Sequence, residues 1–252
     1  MGKNEINMIE LPKGIVKAEC KSPRKLILFS QPKAGKTTAL SMLPDSLLID
    51  LEKGTDFIDA VKVKINNSSE LRELVKVLKA ENTKKGGFVY RYGIIDTVTA
   101  LEDIIAPVAL AMYKATPIGK NFTGTDVLTL PQGAGYYWQR LTFATVVNEL
   151  AECFERLILS GHLKEKFILK DDKELEVRGL DLTGKLASIT SGASDAIGYV
   201  YRKKNEVRVN FKSTEGVIVG SRPDHLANQD ICLTEQDESG KIIAHWDRIF
   251  VD

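Results

Sequence analysis

The chain has 252 residues, a length that suits one α/β domain with appendages. Its 35 basic and 34 acidic residues give a formal net charge of +1, which excludes the global basic field that would by itself indicate nucleic-acid binding. Cys20, Cys153 and Cys232 are odd in number and lack a C-x-x-C pair, so we expect reduced cysteines and neither a disulfide framework nor a zinc site.

The first half of the chain predicts strands that alternate with helices. Residues 1–24 carry two prolines and are expected to form a short strand or an arm. Apolar runs then predict buried strands, and helical spacing of leucines after a serine cap predicts a surface helix. The predicted elements are a strand at 24–29, a short helix at 36–43 ended by Pro44, a strand at 45–52, a helix at 68–81 and a strand at 88–97.

The second half begins with a segment, 107–138, that is too long for an ordinary connection. It is either a functional loop or a partly helical insertion. The later predictions are a helix at 136–156, a fourth strand at 157–162, a hairpin at 164–180 turning at Asp171 and Asp172, a helix then strands over 186–214, and a last hairpin at 231–246 turning at Ser239 and Gly240.

This alternation predicts an α/β fold class, with a mainly parallel sheet flanked by helices and antiparallel strands at the C-terminal end. We expect a single domain over residues 1–252. Its parts are an N-terminal arm (1–24), a core (25–215) and a C-terminal β extension (216–252).

The stretch FSQPKAGKTTAL, residues 29–40, nearly matches the phosphate-binding pattern G-x-x-x-x-G-K-[ST]. In such a loop, backbone N–H groups and a helix N-terminus face the phosphates, while the lysine and the hydroxyl reach the outer phosphates and Mg²⁺. Ser30 replaces the first glycine and is expected to contact the loop backbone. The predicted nucleotide-binding residues are Ser30, Gln31, Pro32, Lys33, Ala34, Gly35, Lys36, Thr37 and Thr38. The alternative is a surface turn that carries a lysine.

A second motif, GIIDT at 93–97, places Asp96 at the end of a predicted buried strand. Together with Thr37, Asp96 is a predicted Mg²⁺-binding residue, although alone it could cap a turn. ATP is favoured over GTP because no N-K-x-D motif occurs. The D-x-x-G match at 181–184 lacks that partner and is interpreted as accidental.

Hydrolysis also needs a group that orients water. Asp50 and Glu52 are two residues apart and are expected to face the same side of the second strand, with Glu52 nearer the edge where ligands bind. An exposed acidic turn is the alternative. His162 ends the predicted fourth strand at the same edge, where an imidazole could sense the γ-phosphate or have a structural role.

In this order and spacing, the motifs resemble a RecA-like ATPase core. They are most similar to small phage-type RecA-like nucleotide-binding proteins linked to single-strand annealing and recombination. The resemblance covers about residues 25–212 and is most specific around Lys36 and Asp96. It implies that Glu52 is catalytic together with Lys36, and that His162 couples the nucleotide to DNA.

The resemblance also implies two DNA-binding loops, which coincide with the insertions after Asp96 and after His162. The first insertion mixes aromatic and basic residues, whereas six acids offset the basic residues of the second. Candidate DNA-binding residues are Lys114, Lys120, Tyr137, Trp138, Arg140, Lys164 and Lys166. Core anchoring by the aromatics and a solvated hairpin are the alternatives. Lys212 and Arg222 are candidates for a basic residue that completes a neighbouring subunit's site.

The sequence thus predicts an ATP-binding, Mg²⁺-dependent ATPase that binds single-stranded DNA and assists annealing or homologous recombination. The implied partners are further copies of the chain, in a ring or filament, and a single-strand-binding or other replication protein. A nucleotide kinase is an alternative, although 107–138 has no arginine for a kinase lid; a nucleotide-dependent assembly or packaging component is another. The longest apolar run, 104–112, is about half a membrane span, so we expect no membrane partner and a cytoplasmic location in a bacterial or phage-infected cell.

Overall fold

Parallel strands form the centre of the molecule, whose computed structural model describes residues 11–170 and 173–251. The strands are β1 (Lys25–Ser30), β2 (Ser46–Asp50), β3 (Lys62–Lys64), β4 (Tyr92–Asp96), β5 (Arg156–Lys170), β6 (Lys173–Leu180), β7 (Ala196–Lys203), β8 (Glu206–Asn210), β9 (Gly220–Ser221), β10 (Asp230–Gln236) and β11 (Ile242–Ala244). The helices are α1 (Lys36–Ser41), α2 (Ser68–Lys85), α3 (Val98–Lys114), α4 (Ala134–Ala151) and α5 (Leu186–Gly192).

The strand order is β3-β2-β4-β5-β1-β7-β8-β10-β11, with β6 pairing β5 and β9 pairing β7. From β3 to β7 all neighbours are parallel, and from β7 to β11 they are antiparallel. The expected α/β fold class, a mainly parallel sheet flanked by helices with antiparallel C-terminal strands, is therefore confirmed. Strand β5 lies between β1 and β4, so the carboxyl ends of these three strands are neighbours at one edge of the sheet.

Both faces of the central strands are buried. In β1, Ile27 and Phe29 pack into a core shared with α2, α3 and α4, whereas Leu26 and Leu28 pack into a second core with α1 and the C-terminal residues Trp246 and Phe250. Because alternate residues of a strand point to opposite faces, two cores require an uninterrupted apolar run. This is why β1 reads as a continuous apolar stretch in the sequence.

Two helices differ from the sequence prediction. The cap of α2 is Asn67, whose side chain accepts hydrogen bonds from the backbone N–H groups of Ser69 and Glu70, so the predicted serine cap is wrong. Helix α3 was not predicted, because Pro107 lies within it. A proline interrupts one helical hydrogen bond, but burial of apolar residues such as Leu101 and Ile105 offsets that cost.

The segment 107–138 is consequently the end of α3, several short 3-10 turns and the start of α4. The partly helical alternative is confirmed, and the alternative of a loop throughout is wrong. Among the described residues of the predicted arm, 11–24, no strand forms. No described helix is long enough and apolar enough to cross a membrane.

Strand β5 continues well beyond the predicted end at His162. Its parallel pairing with β1 finishes at Ser30–His162, and its antiparallel pairing with β6 begins at Leu163–Leu180. The predicted hairpin is confirmed, although its turn residues, 171–172, lie outside the described residues. His162 is therefore wrong as a strand terminus, because hydrogen bonding to β6 replaces hydrogen bonding to β1 at the next residue. The last hairpin, β10–β11, is also confirmed.

Candidate functional site

A cavity of about 530 Å³ lies at the carboxyl ends of the parallel strands. All nine loop residues from Ser30 to Thr38 line it, together with Glu52, Gly54, Ile58, Asp96, Thr97, His162 and Arg202. Lys33 and Gly35 have positive φ angles of 64° and 92°. Such local conformations turn successive backbone N–H groups towards one point, which is how a loop of this kind binds an anion.

Ser30 is fully buried at the end of β1. Its hydroxyl donates a hydrogen bond to the backbone carbonyl of Gln31 at 2.8 Å, as expected for a residue that contacts the loop backbone. Gly35 is constrained more tightly, because a Cβ atom there would lie 2.9 Å from both the Arg202 guanidinium and Val207. The second glycine of the motif is therefore required both for its φ angle and for space.

The Lys36 ammonium is buried at the base of the cavity. It donates a hydrogen bond to the Ser160 hydroxyl at 2.6 Å and lies 3.7 Å from the Asp96 carboxylate. Burial lowers the pKa of Lys36, and the nearby carboxylates of Asp96 and Glu52 oppose that shift. A phosphate entering the cavity would meet a cation that is already desolvated and oriented.

Asp96 accepts hydrogen bonds from two hydroxyls, Thr37 on α1 at 2.8 Å and Ser160 on β5. Asp96 and Ser160 are register partners across β4 and β5, which explains how a residue two strands from β1 meets the start of α1. The Thr37 hydroxyl and the Asp96 carboxylate are hard oxygen donors of the type that Mg²⁺ takes together with phosphate oxygens. The residues present therefore fit a magnesium–nucleotide complex.

Asp50 has a structural position that the sequence prediction did not anticipate. The prediction that Asp50 and Glu52 face the same side is wrong, because β2 ends at Asp50 and strand alternation stops there. One oxygen of Asp50 accepts from the N–H groups of Glu52 and Gly54, and the other accepts from the N–H and hydroxyl of Thr55.

Burial alone would raise the pKa of Asp50, but these hydrogen bonds outweigh burial and lower it. The carboxylate is thus kept ionised while it is almost fully buried. Through these hydrogen bonds Asp50 fixes the turn from 51 to 55, and this turn places Glu52 at the cavity.

Glu52 and His162 are in contact. The His162 Nε2 lies 2.7 Å from a Glu52 carboxylate oxygen, and the Thr97 hydroxyl donates to the same oxygen. The side chains of Glu52 and His162 are each about one-third exposed, towards the cavity. The buried Nδ1 of His162 has no hydrogen-bond partner among the residues that the structure describes. The Glu52 carboxylate is thus held through one oxygen by His162 and Thr97, and such a carboxylate can orient a water molecule or accept its proton.

Several residues of the site were missed in the sequence, among them Ser160, Thr97 and Arg202. Ser160 precedes His162 by two residues, so strand alternation alone places both on one side of β5 and could have identified it. Thr97 directly follows Asp96 and carried no signal of its own. Arg202, on β7, lines the cavity beside Gly35 and forms no ion pair with any described residue. Finding it requires knowing that β7 is the neighbour of β1.

The candidate DNA-binding residues lie in two regions. Lys114, Lys120, Tyr137, Trp138 and Arg140 belong to the end of α3, the following turns and α4, whereas Lys164 and Lys166 lie on β5 just beyond His162. The Tyr136 ring, on α4, lies against Gly184 in the segment that follows β6.

The candidate DNA-binding side chains differ in their exposure and in their contacts with the rest of the chain. Tyr137 is exposed, whereas Trp138 packs edge-on against Tyr113 and serves partly as an anchor. Lys114 lies over the Phe122 ring, and Lys164 pairs with Asp181 at 2.7 Å. These contacts leave the charges at the surface.

Neither candidate for a trans-acting cation lines the cavity of its own chain. Lys212 is exposed just after β8. Arg222 is 64% exposed, but it pairs with Asp195 at 3.0 Å and donates to the carbonyl of Gly192, so part of its guanidinium is engaged within the chain.

Comparison with known proteins adds a family. A family model named AAA_24 and described as an AAA domain matches residues 22–226. No curated protein sequence matches the chain. Among solved structures, the chain is similar to one described as the crystal structure of the RadB recombinase, with 12% sequence identity and a TM-score of 0.43; the match covers 88% of this chain and 90% of that chain.

Proposed function

The chain belongs to the AAA_24 family of AAA domains, and from that membership and the site geometry we propose that it is an ATPase that binds ATP with Mg²⁺ and couples hydrolysis to single-stranded DNA. The observation that carries the proposal is the arrangement at the carboxyl edge of the sheet. There the phosphate loop, the buried Lys36 ammonium, the Thr37–Asp96 pair and Glu52 surround one cavity.

In this proposal, Lys36 and the loop N–H groups bind the β- and γ-phosphates, and Thr37 and Asp96 hold Mg²⁺. The metal ion, when bound, supplies neutralisation of the charge that develops on the phosphoryl oxygens. Ser160 holds the lysine and the aspartate in place through hydrogen bonds to both. Arg202, beside Gly35, adds a positive charge from the same chain at the mouth of the cavity.

Glu52 is the proposed catalytic carboxylate, which orients water for attack on the γ-phosphate. Thr97 and His162 limit its rotation, since both bind the same oxygen and leave the other available. His162 connects this carboxylate to β5, whose next outward residues are Lys164 and Lys166. DNA that binds along β5 and the aromatic surface of α4 would therefore act on His162 through one β-strand, β5.

We further propose that the chain acts in annealing or homologous recombination as a ring or filament of identical subunits. Lys212 is the better candidate for a cation in trans, because Arg222 is engaged by Asp195. A single-strand-binding or other replication protein is the proposed additional partner. A cytoplasmic location in a bacterial or phage-infected cell is part of the same proposal.

The first test is ATP turnover with and without single-stranded DNA, for wild type, Lys36→Ala and Glu52→Gln. We expect DNA to stimulate the wild type, Lys36→Ala to lose ATP binding, and Glu52→Gln to bind ATP but turn over about 10²–10⁴-fold more slowly. Normal turnover by Glu52→Gln would show that the catalytic assignment is wrong. Phosphate transfer to a nucleoside monophosphate, assayed in parallel, would identify a kinase instead.

The second test addresses the DNA surface through salt dependence. Each lost contact between a lysine and a phosphate reduces the slope of log affinity against log salt by about 0.7 for single strands. We expect Lys114→Ala/Lys120→Ala to reduce that slope. Lys76→Ala, which removes an exposed lysine from α2, is the matched control and should leave it unchanged. Equal slopes for all three proteins would remove this surface from the proposal.

A further inference from the structure

The C-terminal hairpin brings together a cysteine, a glutamate and a histidine. The Cys232 sulphur, a Glu235 carboxylate oxygen and a His245 ring nitrogen all lie within 4.8 Å of one another. Cys232 is buried, and the His245 side chain is only 17% exposed. From this geometry we propose that the hairpin binds one Zn²⁺ ion through Cys232, Glu235 and His245.

A β-bulge creates the cluster. In a regular strand, Cys232 and Glu235 would point to opposite faces, because they are three residues apart. The register with β8 shifts between them: Cys232 pairs with Arg208 and Thr234 pairs with Val207, so Leu233 is the extra residue. Past the bulge, Glu235 shares the face of Cys232, which is the kind of re-aiming that bulges produce.

The same bulge positions the histidine. The backbone N–H of His245 donates to the carbonyl of Leu233 at 2.8 Å, and the preceding residue, Ala244, pairs with Thr234. His245 therefore projects to the face opposite Ala244, where Cys232 and Glu235 lie. Its Nε2 is 3.1 Å from a Glu235 oxygen.

The charges around the cluster also favour a cation. Glu235 lies directly opposite Glu206 on β8, and like charges at opposed positions of neighbouring strands destabilise a sheet. Arg208 neutralises Glu206 at 2.6 Å and also binds Asp230, while Arg248 donates to the Cys232 carbonyl rather than to its sulphur. Among the described residues, His245 is the ion-pair partner that remains for Glu235.

The donor set selects the metal. Thiolate and imidazole ligands bind Zn²⁺ in preference to Mg²⁺ or Ca²⁺, and carboxylate is an accepted additional ligand. Three protein ligands leave a fourth, tetrahedral position for water. Cysteine binds Zn²⁺ as the thiolate, so Zn²⁺ binding must release the Cys232 thiol proton. The sequence analysis expected no zinc site because no C-x-x-C pair occurs, whereas the ligands proposed here converge through strand pairing.

The test is titration of the reduced, untagged protein with Zn²⁺ and with Co²⁺ as a spectroscopic probe, in excess Mg²⁺. We expect one equivalent to bind, a thiolate-to-Co²⁺ charge-transfer absorption, and a higher melting temperature with Zn²⁺ because the ion binds the folded hairpin. Cys232→Ser should abolish the absorption, and His245→Gln should weaken affinity at least about tenfold. Matched controls are Cys153→Ser, a second buried cysteine, and His162→Gln, at the other Glu–His pair.

Several results would overturn the proposal. They are absence of the absorption in the wild type, unchanged affinity in Cys232→Ser or His245→Gln, and loss of binding in Cys153→Ser or His162→Gln. If Cys232→Ser fails to fold, as judged by circular dichroism, the partly exposed Glu235 provides the same readout. Unchanged affinity in Glu235→Gln together with His245→Gln would then exclude the site.

Discussion

Replacing Asp50 with asparagine tests whether this residue is structural rather than catalytic. The wild-type carboxylate accepts four hydrogen bonds, two on each oxygen, from Glu52, Gly54 and Thr55. An asparagine carbonyl can accept only one of these pairs. If it accepts from Glu52 and Gly54, the new NH₂ group faces Thr55, whose side chain and backbone are fully buried.

The magnitude follows from that geometry. The Thr55 hydroxyl can rotate to accept from the new amide, but its backbone N–H cannot, so one hydrogen bond to a charged acceptor is lost. Such a bond contributes about 1.5–3 kcal/mol, and we expect the free energy of unfolding to fall by that amount in Asp50→Asn at neutral pH. Turnover should also fall, since the turn that carries Glu52 is no longer fixed.

Urea unfolding as a function of pH provides the assay. The hydrogen bonds lower the pKa of Asp50 in the folded protein below its ordinary value of 3.8. The stabilisation is therefore fully present above pH 3.8 and is lost as the pH falls through the lower, folded-state value. The stability difference between wild type and Asp50→Asn should narrow below about pH 4.

Glu52→Gln is the matched control, because its side chain is one-third exposed and its substitution should change stability by less than about 0.5 kcal/mol. The reasoning would be refuted if Asp50→Asn were as stable as wild type. A stability loss that stayed constant down to acid pH would refute it equally, since the loss would then not depend on the carboxylate charge.

Two further predictions concern residues outside the sequence motifs. Glu102 is buried and accepts hydrogen bonds from Gln139 and Thr183. Burial raises the pKa of Glu102 in the folded protein. Its negative charge therefore opposes folding once the pH exceeds 4.5, the ordinary pKa of a glutamate. At pH 7 we expect Glu102→Gln to be at least as stable as wild type in urea unfolding and Glu102→Ala to lose about 1–3 kcal/mol; equal losses would contradict this account. Arg202→Ala should weaken ATP binding about tenfold by calorimetry, a loss of about 1.4 kcal/mol, while unchanged affinity would show that the guanidinium does not reach the nucleotide.

Local sequence signals located the loop from Ser30 to Thr38 at the cavity. The loop is specified by a contiguous motif and a preceding apolar strand, and all nine predicted residues line the cavity. The parallel strands were predicted for the same reason, because burial on both faces leaves an apolar run that needs no tertiary knowledge. Asp96 was located because it ends such a run.

The predictions failed where hydrogen bonding or packing that the local sequence pattern does not show decides a residue's environment. Asp50 was expected to face the same side as Glu52 because alternation was extended past the end of β2, but donors from the following turn decide its role. Arg202 became visible only when β7 was placed beside β1, more than 150 residues away in sequence. Helix α3 was missed because Pro107 is a local signal that burial against the sheet outweighs.

The continuation of β5 beyond His162 gives the proposed coupling to DNA a structural route. Ser160, His162 and Lys164 lie at alternate positions of one strand and so share a face. The first contacts Lys36, the second contacts Glu52, and the third reaches the surface at Asp181. A flexible loop at this point would absorb a movement of the hairpin, whereas an extended strand with continuous pairing transmits it. Because Gly161 leaves room for the Leu180 side chain, β6 packs directly against this part of β5. In the proposed function, a shift of the hairpin when DNA binds would therefore have a short mechanical path to the proposed catalytic carboxylate.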